Sequence, residues 1–167
     1  LGNPTNDYVE ARIAALEGGV GALLTSSGQS AITLAILNLA SAGNNIVASP
    51  SLYGGSTSLL NNTLRRLGID ARFVHDPYDV DEWLSLADEN TVAFYGETIP
   101  NPKGDIFDIE KIAQAAHSVG VPLIVDNTVA TPYLTRPIEW GADIVVHSAT
   151  KYLGGHGTAI SGAIVDA

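Results

Sequence analysis

The sequence has 167 residues, of which 46% are hydrophobic and 16% charged. This composition is typical of one folded α/β domain and excludes a disordered chain. The net charge of −10 disfavours nucleic acid or an anionic membrane surface as a partner. The sequence contains no cysteine, so disulfides, thiolate nucleophiles and Cys-ligated metals are excluded. No apolar run reaches the roughly 18 residues of a membrane span, and no signal-peptide pattern opens the chain. We therefore expect a cytoplasmic protein.

Helical and strand-like patterns alternate in the first part of the chain. Apolar residues at helical spacing predict helices, and Gly18 and Gly68 stand where two of these helices should end. In chain order we predict a helix (8–16), a short apolar stretch that runs into small polar residues (20–28), an amphipathic helix (29–40), a buried strand (44–50) and a helix (55–67).

Strand-like runs dominate the second part, and Asp108 is a good N-cap for a helix through Val119. Two of the runs are almost continuously apolar, as expected for parallel strands covered on both faces. The alternation predicts a doubly wound, mostly parallel α/β sheet with helices on both faces and right-handed crossovers. The strand-like runs are 70–75, 91–98, 121–128, 142–149 and the final segment 162–167.

Polar residues follow five of the apolar stretches, at the point where each one ends. In open α/β sheets ligands bind beyond the carboxyl ends of the strands. We therefore expect these residues to surround one site. They are Ser26 to Gly28, Ser49 to Tyr53, Glu97 to Asn101, Asp126 to Thr128, and Ser148 to Lys151.

The segment SSGQSA (26–31) combines serines and a glycine at the start of a predicted helix. Free backbone N–H groups and the helix dipole favour an anion such as phosphate at that position. An ordinary strand-to-helix turn capped by serine explains the same pattern. The sequence contains neither a P-loop nor a dinucleotide-binding glycine motif.

Asp126 and Lys151 both stand at the ends of apolar strands. A carboxylate at such a position caps a turn or pairs with a cation, which includes a metal or a protonated ring nitrogen. The four histidines lack metal-ligand spacing, so we expect no metal site. Lys151 either extends into solvent or is partly buried, which would leave its free amine available to form a Schiff base with an aldehyde.

Together these groups match what pyridoxal 5′-phosphate requires. The cofactor needs an anion site for its phosphate, a carboxylate for its ring nitrogen and a lysine for its aldehyde. Its ring needs an aromatic partner, for which Tyr53 is the candidate. The segment DIVVHSATKYLGGHG (143–157) resembles the lysine signature of the Cys/Met-metabolism family of pyridoxal-phosphate enzymes, which have fold type I. SSGQSA, LYGGS, GETIPNP and VDNTVATPYL also occur in the family's order, so the resemblance covers the whole chain.

The resemblance implies a role for each matching residue. Lys151 corresponds to the lysine that binds the cofactor and moves protons, and Asp126 to the acid that holds the ring nitrogen. Tyr53 corresponds to the tyrosine that stacks on the ring and assists proton movement. Glu97 is expected only to support the site. The remaining expected cofactor contacts are Ser27, Gly28, Gln29, Ser148 and Thr150 around the phosphate, Asn101 near the ring hydroxyl and substrate, and Thr128 beside the ring.

Two sequence features point to a branch of the family. GETIPNPKGDIFDI and SATKYLGGHGTAI most resemble the O-acetylhomoserine sulfhydrylases, in which γ-replacement on an activated homoserine ester by sulfide or a thiol gives homocysteine or methionine. The segment Tyr53-Gly54-Gly55 differs from the Tyr-Gly-Cys of methionine γ-lyases. Cystathionine γ-synthase, O-succinylhomoserine sulfhydrylase and γ-lyase activities remain alternatives within the family. A nucleotide-binding α/β module without chemistry is the alternative outside it.

The resemblance also concerns the extent of the chain. We expect residues 1–167 to be the central part of the large cofactor-binding domain, without a preceding Tyr-x-Arg segment and without a C-terminal domain. As an isolated piece it would then be inactive. The family resemblance further implies a homotetramer of two dimers with shared active sites.

Overall fold

The computed structural model describes residues 3–167, which form a seven-stranded sheet with helices on both faces. The strands are β1 (Gly21–Thr25), β2 (Asn45–Ala48), β3 (Asp70–Phe73), β4 (Thr91–Glu97), β5 (Leu123–Asp126), β6 (Ile144–His147) and β7 (Gly162–Asp166). The helices are α1 (Pro4–Glu17), α2 (Gly28–Leu39), α3 (Gly54–Ser58), α4 (Val80–Leu86), α5 (Ile109–Ser118) and α6 (Thr131–Leu134). A π-helical segment, Leu59–Leu64, continues α3, and a 3-10 turn spans Pro137–Trp140.

The strand order is β1-β7-β6-β5-β4-β2-β3. Strands β3, β2, β4, β5 and β6 are parallel to one another, whereas β7 is antiparallel to both β6 and β1. The predicted mostly parallel, doubly wound sheet is confirmed.

Alternate residues of the central strands enter two separate cores because side chains in a strand point to opposite faces. Val125 and Val145 pack with α1, α4 and α5 on one face, whereas Ile124 and Val146 pack with α2 and the helix that begins at Gly54 on the other. The complete burial of these four side chains explains the near-continuous apolar runs in the sequence.

Most predicted helices are confirmed, with shifted boundaries. Helix α1 begins four residues earlier than predicted, because Asn3 is its N-cap and the Asn3 side chain accepts a hydrogen bond from the Thr5 N–H. Gly18, whose φ is +82°, is the C-cap that ends the helix. Asp108 caps α5 by accepting from the N–H of Lys111. Helix α4 was not predicted, because only seven residues form it; Asp79 caps it.

Candidate functional site

A single cleft of about 900 Å³ opens at the carboxyl ends of the parallel strands. Every expected cofactor contact and at least one residue of each of the five strand ends line it, although these residues come from well-separated parts of the sequence. The expectation that the five strand ends surround one site is therefore met. The lining includes Ser27, Gly28, Gln29, Tyr53, Glu97, Asn101, Asp126, Thr128, Ser148, Thr150 and Lys151.

The N-terminus of α2 forms one end of the cleft. Ser27 caps the helix, and its Oγ accepts a hydrogen bond of 3.1 Å from the N–H of Ser30. Gly28 lies so close to β6 that a Cβ at this position would stand 2.6 Å from the Cβ of Ser148. The missing side chain thus allows the first turn of α2 to approach the end of β6, where free helical N–H groups can meet an anion.

Asp126 lies at the end of β5 and is held by Thr128. Its Oδ1 accepts from the backbone N–H of Thr128 at 2.9 Å and from the hydroxyl of the same residue at 2.5 Å. Burial raises the pKa of Asp126 above its usual range, while the hydrogen bonds from Thr128 and the charge of His147 act in the opposite direction. Within residues 3–167, no group donates a hydrogen bond to Oδ2, which leaves it available to a ligand.

Glu97 lies beside Asp126 on the neighbouring strand and is 6% exposed. Its carboxyl oxygens accept from the backbone N–H of Tyr53 at 2.9 and 3.0 Å, and Oε1 accepts from the hydroxyl of Ser56 at 3.0 Å. Burial and then the charge of Asp126 raise the pKa of Glu97 to about 8, against the effect of these hydrogen bonds. Glu97 therefore fixes the backbone at Tyr53 through hydrogen bonds, and its protonation depends on the charge of Asp126.

Tyr53 precedes α3, and its ring is half exposed beside the cleft. A Cβ at Gly55 would lie 2.5 Å from Cε1 of this ring and 3.2 Å from the side-chain nitrogen of Gln29. The ring therefore occupies the space that a larger residue at position 55 would need. Asn101 is exposed at the cleft wall formed by the loop after β4.

Of the two alternatives for Lys151, the structure shows the first, because this lysine is exposed and not partly buried. It follows β6 in a run of turns, residues 149–154, and lines the cleft. No residue between Asn3 and Ala167 forms a hydrogen bond or ion pair with its Nζ. Thr150 also lines the cleft, but its hydroxyl donates to the carbonyl of Ser161 at 3.1 Å and accepts from the Ser161 N–H at 3.0 Å.

Three buried polar residues behind the cleft were missed as a group. Glu17, Asn127 and His147 are all 0% exposed. Glu17 Oε1 accepts from Asn127 Nδ2 at 2.8 Å and lies 2.5 Å from His147 Nε2. The only sequence signal was a polar residue next to each of two strand ends, and Glu17 stands more than a hundred residues from both.

Residues 3–167 contain no group of acidic or histidine side chains that could hold a metal ion. No helix of that range is long and apolar enough to cross a membrane.

The sequence matches known proteins along its whole length. It is 55% identical to an O-acetyl-L-homoserine sulfhydrylase of Leptospira meyeri over 99% of this chain and 37% of that protein. It is also 55% identical to a homocysteine synthase of Schizosaccharomyces pombe over 98% of this chain and 38% of that protein. The chain thus spans less than two-fifths of the length of these curated relatives.

Solved structures match over the same extent of the chain. A structure described as an O-acetylhomoserine (thiol)-lyase from Campylobacter jejuni, with N′-pyridoxyl-lysine-5′-monophosphate, has a TM-score of 0.97, 43% identity, and coverage of 99% of this chain and 41% of that one. Cystathionine γ-lyase from Lactobacillus plantarum has a TM-score of 0.94 and 40% identity over 99% of this chain and 43% of that one. The model of the family described as Cys/Met metabolism PLP-dependent enzymes matches residues 1–167. The chain therefore belongs to the Cys/Met metabolism family of pyridoxal-phosphate-dependent enzymes.

Proposed function

We propose that the cleft binds pyridoxal 5′-phosphate and that the protein catalyses γ-replacement on O-acetyl-L-homoserine. Sulfide or a small thiol is the second substrate, and homocysteine or methionine is the product. The observation that carries the proposal is the convergence of an anion site, a free carboxylate oxygen and a lysine in one cleft. The names of the relatives from Leptospira and Schizosaccharomyces favour this branch of the family.

The phosphate fits the end of the cleft formed by α2. The first N–H groups of a helix have no partner within the helix, and the helix dipole attracts negative charge to them. Ser27, Gly28 and Gln29 supply this first turn. Ser148 Oγ, against which Gly28 packs, makes no hydrogen bond to any residue of the described range, so it can donate to the phosphate. We expect less from Thr150, because its hydroxyl is already bonded to Ser161.

The protonated ring nitrogen fits Asp126. Thr128 fixes Oδ1, which leaves Oδ2 free to accept a charge-assisted hydrogen bond. A cationic partner at Oδ2 would favour the ionised carboxylate and so offset the cost of burying it. Thr128 would then lie beside the ring and hold Asp126 in place.

Lys151 and Tyr53 supply the remaining groups. Lys151 is exposed and lines the cleft, and its amine has no partner within residues 3–167, so it can reach an aldehyde in the cleft. The half-exposed ring of Tyr53 can stack on a flat ligand. Glu97 would fix this ring by holding the N–H of Tyr53.

These assignments suggest what each side chain does during the reaction. Pyridoxal phosphate, when bound, supplies an aldehyde for the substrate amine and a ring that accepts electrons from the substrate α-carbon. Lys151 Nζ would take the proton from the α-carbon and return a proton to the carbon chain, with Tyr53 assisting. Asn101 would orient the ring hydroxyl and the substrate.

Other γ-directed activities of the family remain candidates. The fold does not separate replacement from elimination, because a cystathionine γ-lyase matches almost as closely as an O-acetylhomoserine enzyme. Cystathionine γ-synthase and O-succinylhomoserine sulfhydrylase activities would use the same core residues. One feature disfavours the methionine γ-lyase pattern: the Tyr53 ring fills the space that a cysteine at position 55 would need.

The test is a substrate comparison with the full-length protein loaded with pyridoxal phosphate. O-acetyl- and O-succinyl-L-homoserine are each supplied with sulfide, and homocysteine is measured by mass spectrometry beside 2-oxobutyrate, the product of elimination. We expect homocysteine from the acetyl ester with kcat/KM at least about tenfold above the succinyl ester, a difference of about 1.4 kcal/mol. Dominant 2-oxobutyrate, or a preference for the succinyl ester, would contradict the proposal.

Assembly and location are also proposals. Family resemblance favours a cytoplasmic homotetramer, and several aromatic side chains are available for contacts, including Tyr8 and Tyr133, which are 82% and 92% exposed. Light scattering on the full-length protein measures the mass directly.

A further inference from the structure

A buried polar cluster lies on the face of the sheet opposite the cleft. Its members are Glu17, the last residue of α1, Asn127 after β5, and His147 at the end of β6; we name it the Glu17 cluster. Glu17 Oε1 is the shared acceptor, 2.8 Å from Asn127 Nδ2 and 2.5 Å from His147 Nε2. One carboxylate therefore joins the ends of two neighbouring strands to a helix.

The cluster and the cleft are carried by the same two backbone segments. Asn127 stands between Asp126 and Thr128, and His147 immediately precedes Ser148. On the cleft side, the Ser148 N–H donates to Thr128 Oγ1 at 2.8 Å, and this hydroxyl donates in turn to Asp126. Because side chains alternate between the faces of a strand, a residue fixed on one face also fixes its neighbours on the other.

The Glu17 cluster is not explained by a gain in the stability of the fold. Glu17 Oε2, Asn127 Oδ1 and His147 Nδ1 are buried and lack a hydrogen-bond partner within residues 3–167. Unpaired buried polar atoms destabilise a fold, and apolar residues of the same volume often serve a core better than a buried ion pair. What the cluster provides is a defined geometry between two strand ends, which an apolar contact would define less sharply.

We propose that Glu17 is a positioning residue for the cofactor cleft, holding the segments of Asp126–Thr128 and His147–Ser148 in register through Asn127 and His147. This inference rests on the proposed function, in which these two segments bind the ring nitrogen and the phosphate. The electrostatics agree with it. The charge of His147 lowers the pKa of Asp126, although burial acts more strongly in the opposite direction.

The test compares three variants of the full-length protein. Glu17→Leu removes the shared acceptor at similar volume. Glu17→Gln keeps an acceptor for Asn127. Ile13→Ala is the matched control, because Ile13 is buried on the same helix one turn earlier but makes none of these polar contacts. For each variant, pyridoxal-phosphate affinity is measured by absorbance titration, and hydrogen exchange of the Ser148 amide is measured in the cofactor-free protein.

We expect Glu17→Leu to weaken cofactor binding about tenfold and to speed hydrogen exchange of the Ser148 amide. Removing a residue that orients a metal ligand lowers metal affinity by a similar factor. Glu17→Gln should recover most of both, and Ile13→Ala should stay within about threefold of the parent, although it loses stability. Unchanged binding and exchange in Glu17→Leu would overturn the inference. An equal effect of Ile13→Ala would overturn it too, since the role would then be general stability.

A further variant and the measurement in cofactor-free protein cover the cases in which Glu17→Leu does not fold or the parent binds no cofactor. If Glu17→Leu does not fold, Asn127→Ala, which removes the donor to Glu17, carries the same expectation for both measurements. If the parent protein binds no pyridoxal phosphate, the proposed function fails. Ser148 exchange in the cofactor-free protein still decides whether Glu17 orders the strand ends.

Discussion

Glu97 and Asp126 are directly paired at the carboxyl ends of β4 and β5, so two carboxyl groups share one wall of the cleft. Burial raises the pKa of both, and the charge of Asp126 further raises that of Glu97, to about 8. A proton on Glu97 at neutral pH would leave Asp126 as the charged partner for a cationic ligand. Two like groups on adjacent parallel strands can in this way have different protonation states.

This pairing predicts a pH dependence of stability in the cofactor-free protein. The pKa of Glu97 is about 8 in the folded state against 4.5 for the unperturbed group. The folded state therefore keeps a proton that the unfolded state loses. Its contribution to the free energy of unfolding is complete below about pH 4.5 and is lost as the pH rises towards 8.

Glu97→Gln should flatten that dependence, because glutamine does not titrate and keeps an acceptor for the Tyr53 N–H. We expect the fall in unfolding free energy between pH 5 and 8 to shrink by about 1.4 kcal/mol or more, as measured by urea denaturation. The exposed Glu89 provides the control, since Glu89→Gln should leave the slope unchanged. A parent protein that gains stability from pH 5 to 8 would contradict the assignment.

Replacing Gly28 by alanine is expected to cause a steric clash at the end of the cleft where we place the phosphate. Alanine there would place its Cβ 2.6 Å from the Cβ and 2.8 Å from the Cα of Ser148. We expect Gly28→Ala to lower the free energy of unfolding by about 1–3 kcal/mol and to weaken cofactor binding, because α2 must move away from β6. Gly21→Ala is the matched substitution, since its Cβ would meet no atom within 4 Å. Equal behaviour of the two variants would show that the close approach is unimportant.

Replacing Asp126 by asparagine is expected to weaken cofactor binding without changing the fold. Asp126→Asn keeps an oxygen for the Thr128 bonds but removes the charge offered to a ring nitrogen. Hydrogen bonds to charged groups contribute about 1.5–3 kcal/mol, so affinity for pyridoxal phosphate should fall roughly 10–100-fold in an absorbance titration. Asp70→Asn, at an exposed position of β3, should bind normally. Unaltered affinity in Asp126→Asn would show that Asp126 does not bind the ring nitrogen.

The sequence predicts the architecture well because the signals involved are local. Apolar runs and caps such as Asp108 identify the central strands and most helices, and residues from each of the five polar strand ends do line one cleft. The insertion of β7 between β1 and β6 depends on pairing between distant segments, which periodicity does not encode.

The site is less predictable than the fold for a similar reason. Contacts such as Glu17 with His147 join residues 130 positions apart, and neither residue alone differs from a surface or core residue of its type. The exposure of Lys151 depends on the course of the turns after β6, which glycines permit but do not specify. The strand-end position of Lys151 and the family resemblance both indicate this lysine, whereas its surroundings depend on how distant segments pack.

The measurement that tests the central claim most directly is covalent mapping of the cofactor. The full-length protein is incubated with pyridoxal phosphate, reduced with borohydride, digested and analysed by mass spectrometry, with Lys151→Ala in parallel. We expect the reduced pyridoxyl group on Lys151 and not on Lys103 or Lys111, the other lysines of these 167 residues. It should be missing from that peptide in Lys151→Ala. A parent protein that binds the cofactor but carries the group on another lysine, or on none, would contradict the account.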